Sequence, residues 1–269
     1  MSVKLAPNGK AYLNVGCGYH FSDEWNNLDL HGPKGVVQHD LRKALPFAAD
    51  TFDAAYSSHV LEHLDLRQGE FFLREQWRVL KPGGVCRVVV PDLERLCRDY
   101  LQHLETARQD PGQMLNYRWT VLFLLDQLVR EDTGGEMLRA FENRDFDEQF
   151  VRSRIGDEAL PLLHRSNRKP SLQGKLADSV LQPGLKTKLK RILGRDARGR
   201  GEAHRWMYDC LSLQNLMTKI GFSDYRLLGH LDSRISGWDK FKLDTAKEGS
   251  GPRKPDSLFA EAIKAAPAP

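Results

Sequence analysis

Residues 57–66 read SSHVLEHLDL and place His59, Glu62 and His63 in the order H-x-x-E-H. On an α-helix, residues four apart share one face, so two such imidazoles can bind a zinc ion beside a carboxylate that acts as a base. A zinc hydrolase site also needs a third ligand, usually a distant Glu, and nothing in the sequence marks one. The pattern by itself is weak evidence, and its surroundings favour a site without a metal.

A second candidate for chemistry is the loop after the first apolar run. LNVGCGYH, residues 13–20, joins a predicted strand directly to Gly16, Cys17 and Gly18. At the carboxyl end of a first parallel strand, glycines let the backbone turn tightly and approach a ligand closely. The third glycine of a dinucleotide-binding loop and the lysine of a phosphate-binding loop are both missing, which argues against a diphosphate site.

Two acidic residues end the next two predicted strands. Asp29 can accept hydrogen bonds from both hydroxyls of a ribose, and Asp40 can accept one from the exocyclic amino group of adenine. Each residue taken alone is better explained as an Asp that starts a turn. Taken together with G-C-G, they indicate a pocket for an adenosine without a diphosphate.

The elements that must position these residues follow from the apolar pattern. Strands that alternate with loops and a helix predict a parallel α/β sheet. The predicted strands are residues 11–15, 25–30, 36–40, 52–57, 85–90, 225–229 and 240–244, and the first clear helix is 71–80. From about residue 96 the pattern is mainly helical. A later helix is expected to start at Asp209 or Ser212 and to end at Ile220, before Gly221.

Composition places the chain among ordinary globular proteins. Its 269 residues are 41% hydrophobic and 28% charged, enough for one large domain or two small ones. No apolar run has the length of a membrane span, and the N-terminus lacks the apolar region of a secretory signal. The four Cys form no C-x-x-C pair, so we expect a reducing, cytoplasmic setting rather than a disulfide framework.

The net charge of +4 is unevenly distributed. Residues 152–200 hold 13 Lys and Arg against 4 Asp and Glu, whereas residues 99–151 hold 5 against 11. We expect the basic stretch 165–200 to be a flexible connection. Within it, 185–193 (LKTKLKRIL) predicts a short amphipathic helix that suits peripheral contact with a membrane surface. Because interleaved aromatic residues are lacking, no nucleic-acid partner is expected.

Several longer segments resemble a known family. LNVGCG, NLDL, DLRKALPFAADTFDAAYSSHVLEHL and REQWRVLKPGGVCRVVVPDLE are similar to class I S-adenosylmethionine-dependent methyltransferases of the type 11 group. DQLVREDTGGEM and HRWMYDCLSLQNLMTKIGF resemble a bacterial branch of predicted methyltransferases linked to cell-surface polysaccharide synthesis. The resemblance implies an α/β, Rossmann-like sheet of seven strands with the last antiparallel, and a helical insert after the fifth strand.

The resemblance also implies S-adenosylmethionine as the cofactor. The residues that it assigns to the cofactor pocket are Asn14, Gly16, Cys17, Gly18, Asp29, Leu30, Asp40, Leu41, Ser58 and His59. Two departures from the family matter. Asn14 stands where Asp is common, so it offers a hydrogen bond but no charge to the cofactor's ammonium group. Only 13 positions separate Gly16 from Asp29, so the first helix should be one turn or absent.

The expected function is O-methylation of a small molecule or of a cell-surface glycan precursor. His59 is the first candidate for the base and His204 the second, with Arg205 and Tyr208 as substrate-binding residues. Residues 1–96 and 204–246 are expected to form the core, 97–203 a helical lid, and 247–269 a disordered tail. The alternative is a non-catalytic module of the same fold that acts through a protein partner. The oligomeric state is left open.

Overall fold

Seven strands in the described part of the chain form one mixed sheet. The structure is a computed structural model that describes residues 2–156, 197, 201–247 and 251–266. The strands are β1 (Tyr12–Val15), β2 (Asn26–Asp29), β3 (Val37–Gln38), β4 (Phe52–Ser58), β5 (Leu80–Pro91), β6 (Phe222–Leu227) and β7 (Ser257–Lys264). Their order is β3-β2-β1-β4-β5-β7-β6, and β7 is antiparallel to both of its neighbours. The predicted Rossmann-like sheet with an antiparallel last strand is confirmed.

The described helices lie mostly between these strands. They are α1 (Leu66–Val79), α2 (Leu93–Gln109), α3 (Met114–Val129), α4 (Gly135–Asn143), α5 (Glu148–Ile155), α6 (Cys210–Ile220) and α7 (Trp238–Phe241). Single 3₁₀ turns occur at Leu61–His63 and Pro111–Gln113. Because α2 begins two residues after β5 ends, the predicted helical insert after the fifth strand is confirmed.

Local sequence signals set the ends of the two helices that pack on the sheet. The Asp65 carboxylate accepts the backbone N–H groups of Arg67 and Gln68 and so begins α1. Asp209 begins α6 in the same way, and Gly221 ends it with a φ of 113°. Of the two caps that the sequence allowed for α6, the structure has Asp209.

The two faces of the sheet bury different kinds of side chain. One face packs aliphatic residues such as Leu13 and Val88 against α1 and α6. The opposite face is aromatic: Tyr12 stacks on Trp25 with ring centroids 5.0 Å apart, and Trp25 lies edge-on to Trp238 at 6.2 Å. The sheet is therefore covered on both sides, as its near-continuous apolar strands require.

A buried ion network crosses the aromatic face. Arg87, in the middle of β5, donates to Asp244 Oδ2 at 2.8 Å and to Glu261 Oε1 at 2.9 Å, and all three side chains are at most 2% exposed. Tyr56 donates to the other oxygen of Asp244 at 2.6 Å. Burial raises the pKa of Asp244 above its ordinary value, although Arg87 and Tyr56 oppose the shift. The network fastens the segment around Asp244 to the sheet.

The structure corrects the prediction for the last part of the chain. Residues 247–269 were expected to be a disordered tail, but Ser257–Lys264 forms β7, which is buried between β5 and β6. The strand predicted at 240–244 is wrong, because α7 ends at Phe241 and the chain then turns. Phe241 packs edge-on to Trp25 at 5.3 Å, so aromatic burial decides the conformation here.

A second compact unit comprises Leu93–Arg205, and the first comprises Met1–Asp92 with Trp206–Pro269. His204 and Arg205 thus fall in the second unit, whereas the sequence assigned them to the core. Helices α3, α4 and α5 of this unit enclose a small core of Trp119, Phe141 and Val151.

The structure does not test two sequence predictions within the second unit. Apart from Ala197, the basic stretch 165–200 lies outside the described residues, as does the helix predicted at 185–193.

No described helix combines the length and the hydropathy needed to cross a membrane.

Candidate functional site

The carboxyl ends of the parallel strands bring the predicted pocket residues to one edge of the sheet. β1 ends at Val15, β2 at Asp29 and β4 at Ser58. Between β1 and β2 the chain makes turns without a helix, as the short spacing predicted. The N–H groups of Gly16 and Cys17 both donate to the Leu28 carbonyl, at 2.8 and 3.1 Å, which folds the loop back over the strand ends.

The two glycines of the loop meet different structural requirements. Both have positive φ, 79° at Gly16 and 53° at Gly18. A Cβ on Gly16 would lie 2.2 Å from Val60 Cγ2, so the loop packs directly on the segment after β4. A Cβ on Gly18 would meet nothing within 4 Å, so open space lies beside this backbone. That space is where a ligand can approach the loop.

Asn14 gives the clearest evidence for a ligand at this site. It is 1% exposed, and neither its amide oxygen nor its amide nitrogen has a hydrogen-bond partner in the described part of the chain. An unsatisfied buried amide is costly and calls for an explanation. A ligand with an ammonium and a carboxylate group could satisfy both atoms, so the residues present fit an amino-acid moiety beside the loop.

Asp29 is held in place by backbone donors. Gly18 N–H donates to Oδ2 at 2.8 Å, and His31 N–H donates to Oδ1 at 2.9 Å. A carboxylate has about four lone-pair sites, so each oxygen can accept a further hydrogen bond. Asp29 is therefore oriented for a diol at the edge of β2. Its neighbour Leu30 is 47% exposed and offers an apolar surface there.

Asp40 has a partner that the sequence did not predict. Arg42 binds it with two hydrogen bonds of 2.8 and 2.9 Å, which hold the pKa of Asp40 near 2. The carboxylate therefore stays charged, and an adenine amino group would have to share it with Arg42. Leu41 turns inward and packs against the aliphatic core beside Gly16.

The H-x-x-E-H segment does not form the α-helix that a zinc pattern needs. His59 has a φ of 54°, residues Leu61–His63 form one 3₁₀ turn, and α1 starts only at Leu66. His59 Nδ1 lies 3.2 Å from Glu62 Oε1, and Nε2 lies 2.8 Å from Ser257 Oγ. His63 Nε2 is 4.0 Å from the same Glu62 oxygen. The segment therefore arranges its imidazole and carboxylate groups around Glu62.

Sequence reasoning missed two members of this group. The sequence did not predict the burial of Glu62, which is completely buried in the structure. Ser257 was placed in the disordered tail, yet it is the first residue of β7 and pairs with Pro91 at the carboxyl edge. The nearly continuous apolar run in SLFAEAIK, interrupted only by Glu261, was a usable signal for a strand covered on both faces.

The predicted acceptor residues are separated by the division into two units. His204, 7% exposed, donates its backbone N–H to the Gln127 carbonyl within the second unit, and Arg205 is exposed there. Tyr208 lies in the first unit, 2% exposed in the aliphatic core. Burial, with the charges of Glu62 and Asp65, raises the pKa of Tyr208 to about 12. A substrate role for these three residues stays a prediction.

The packed loop predicts which thiols react. Burial, with the nearby charge of Asp29, raises the pKa of Cys17 to about 12, and burial also raises the pKa of Cys86. Since only the thiolate is nucleophilic, iodoacetamide at pH 8 should modify exposed Cys97 and leave Cys17 and Cys86 intact in the folded protein. Mass spectrometry of timed digests measures this, with urea-unfolded protein as the control. Cys17 reacting as fast as Cys97 would contradict the packed loop.

Comparison with known protein families gives a match to a methyltransferase domain. Residues 19–88 match the family model of type 11 methyltransferases, described as a methyltransferase domain. Among curated proteins, none matches the chain.

Solved structures of the same fold are only distantly similar. A possible histamine N-methyltransferase from Thermotoga maritima is 13% identical over 95% of this chain and 82% of its own, with a TM-score of 0.39. A putative methyltransferase from Bacillus halodurans is 11% identical over 98% and 95%, also at 0.39. These likenesses are too weak to carry an argument. The domain match over residues 19–88 and the sheet described above together support an S-adenosylmethionine-dependent methyltransferase.

Proposed function

We propose that this S-adenosylmethionine-dependent methyltransferase methylates a hydroxyl group of a small molecule or of a cell-surface glycan precursor. The observation that supports O-methylation is the imidazole of His59, set at the carboxyl edge between Glu62 and Ser257. A hydroxyl is a weak nucleophile and gains from a base, and imidazole exchanges protons near neutral pH. The glycan precursor is supported by the resemblance of residues 126–137 and 204–222 to the polysaccharide-linked branch.

The proposed cofactor pocket assigns a part to each group of residues. Asn14 and the loop Gly16, Cys17 and Gly18 hold the amino-acid end, Asp29 with Leu30 holds the ribose, and Asp40 with Leu41 borders the adenine. Bound S-adenosylmethionine supplies a methyl group that is already activated on a sulfonium. The protein therefore has to align the acceptor, remove its proton and exclude water. Ser58 and His59 border the point of transfer.

On the acceptor side, we assign binding to Arg205 and Tyr208, and a lid role to the helical insert 97–203. His204 is a second candidate for the base. The segment 185–193 is proposed to touch a membrane surface, where lipid-linked glycans lie. The four cysteines are free, which fits a reducing cytoplasmic setting. No nucleic-acid partner is proposed.

The first test is the removal of the ribose carboxylate. Asp29→Ala should weaken S-adenosylmethionine and S-adenosylhomocysteine binding by about tenfold or more, since a charged hydrogen bond is worth about 1.5–3 kcal/mol. Isothermal titration calorimetry measures both affinities. Asp53→Ala is the matched control, because Asp53 is the second residue of β4, at the amino ends of the parallel strands, and pairs with Lys81 at 2.9 Å. Its affinity should stay at the wild-type value.

The same titration separates the enzyme from its alternative. A non-catalytic module of this fold that acts through a protein partner would bind both ligands weakly or not at all. The alternative remains because Asn14 stands where the family commonly has Asp, and an amide gives no charge attraction to the cofactor's ammonium group. Wild-type protein that binds neither ligand at millimolar concentration would overturn the proposed function.

A further inference from the structure

Both ring nitrogens of His59 lie close to buried polar side chains, one from its own segment and one from a distant part of the chain. Glu62, fully buried, lies 3.2 Å from Nδ1, and Ser257, 8% exposed, has its hydroxyl 2.8 Å from Nε2. Ser257 stands 198 positions from His59 in sequence, and both belong to the first unit. The order Ser–His–Glu is the order in which a hydroxyl, a base and an orienting carboxylate act in acyl-transfer enzymes.

The partners favour one tautomer of His59. An ionised carboxylate only accepts hydrogen bonds, so the Glu62 oxygen 3.2 Å from Nδ1 favours a neutral His59 with its proton on Nδ1. In that tautomer Nε2 is the basic nitrogen, and it accepts the O–H of Ser257, whose oxygen lies 2.8 Å away. A proton taken from a methyl acceptor would then reach Nε2 through the Ser257 hydroxyl.

We propose that Ser257 is a catalytic residue that relays the acceptor's proton to His59, and that Glu62 is the positioning residue that fixes the His59 tautomer. This inference rests on the proposed O-methylation. The acceptor hydroxyl gives its proton to Ser257 Oγ while the Ser257 proton moves to His59 Nε2. The acceptor oxygen bonds to the methyl carbon, and the electron pair of the broken C–S bond stays on sulfur. Ser257 ends neutral, and His59 ends as an imidazolium beside Glu62.

The backbone around the group supports a functional rather than a packing role. His59 holds a φ of 54°, a conformation that costs free energy in a residue with a side chain and that clusters at functional sites. Its N–H donates to the Val89 carbonyl at 2.9 Å, which fixes the residue at the end of β4. Ser257 lies at the same edge because β7 runs antiparallel and starts where β5 ends. The side chain of His59 is 17% exposed, so the group borders the surface.

Nitrogen NMR of the histidine rings tests the arrangement without any acceptor. The His59 ring is assigned, among nine His, as the signal lost in His59→Gln. In wild-type protein we expect the Nδ1–H tautomer with a hydrogen-bonded Nε2. Ser257→Ala should shift Nε2 toward the value of a free acceptor nitrogen, and the matched variant Ser257→Thr, which keeps the hydroxyl on a strand, should restore it. An Nε2–H tautomer in wild-type protein would overturn the relay.

Kinetics with a methyl acceptor test the proton transfer itself. Ser257→Ala should lower kcat about 100-fold, the usual lower bound for a lost acid–base group, while cofactor affinity stays unchanged. Ser257→Thr should retain most of the rate, and Glu62→Gln should lower kcat and leave KM for the cofactor unaltered. Wild-type kcat in Ser257→Ala would refute the relay alone. Loss of cofactor binding in wild-type protein would instead refute the proposed function, so the two failures are distinguishable.

Discussion

Arg87→Leu should destabilise the first unit by about 3–5 kcal/mol, the usual cost of removing one partner of a buried ion pair. The substitution leaves Asp244 and Glu261 buried without their shared cation. It also removes donors from the carbonyl oxygens of Gly229 and Asp232, at 3.0 and 2.8 Å. The free energy of unfolding in urea, followed by circular dichroism, measures the loss.

Arg226→Leu is the matched control for this substitution. Arg226 pairs with Asp224 at 3.0 Å, but its side chain is 57% exposed, so the loss should stay below about 1 kcal/mol. Equal effects of the two substitutions would show that the buried network contributes no more than a surface pair.

The pH dependence of the Arg87→Leu loss has a definite sign. Because the pKa of Asp244 is higher in the folded than in the unfolded protein, the folded state binds the proton more tightly. Stability from this group is therefore greatest at low pH and falls as the pH rises above the ordinary carboxyl value of 3.8. Arg87 lowers the pKa of Asp244, so its removal raises that pKa further. The loss of stability caused by Arg87→Leu should therefore be smaller at pH 5 than at pH 7.5.

Gly16→Ala should destabilise the protein by about 2–5 kcal/mol through two separable causes. A left-handed backbone costs an L-residue about 1–2 kcal/mol, and overpacking costs about 1–3 kcal/mol. The overpacking arises because the new Cβ would lie 2.2 Å from Val60 Cγ2, and a β-branched side chain rotates away only at a cost. Urea unfolding gives the total.

Two further variants divide the Gly16 effect. Gly18→Ala carries the positive-φ cost alone, since nothing lies within 4 Å of its Cβ, and should lose about 1–2 kcal/mol. Val60→Ala in the Gly16→Ala background should recover the overpacking part. If Gly16→Ala and Gly18→Ala lose the same free energy, the packing of the loop on Val60 is wrong.

Features that depend on neighbouring residues could be predicted from the sequence. The G-C-G turn, the run VCRVVV and the Asp209 cap each follow from a few adjacent side chains and their backbone preferences, and all three are present. The 13 positions between Gly16 and Asp29 left no room for a helix, and none formed. Chain length between fixed points is a constraint that the sequence states directly.

Which distant residues meet depends on packing in three dimensions. Ser257 reaches His59 because β7 inserts between β5 and β6, and a pairing across 198 positions leaves no local pattern. The Pro, Gly and Lys residues before β7 favoured a disordered tail in the sequence, and Phe241 makes an aromatic contact instead of joining a strand. Arg87 is of a charged type that usually stays in water, and its burial follows from Asp244 and Glu261, which other parts of the fold supply. The sequence therefore predicted residues at the strand ends, but not the contact between His59 and Ser257.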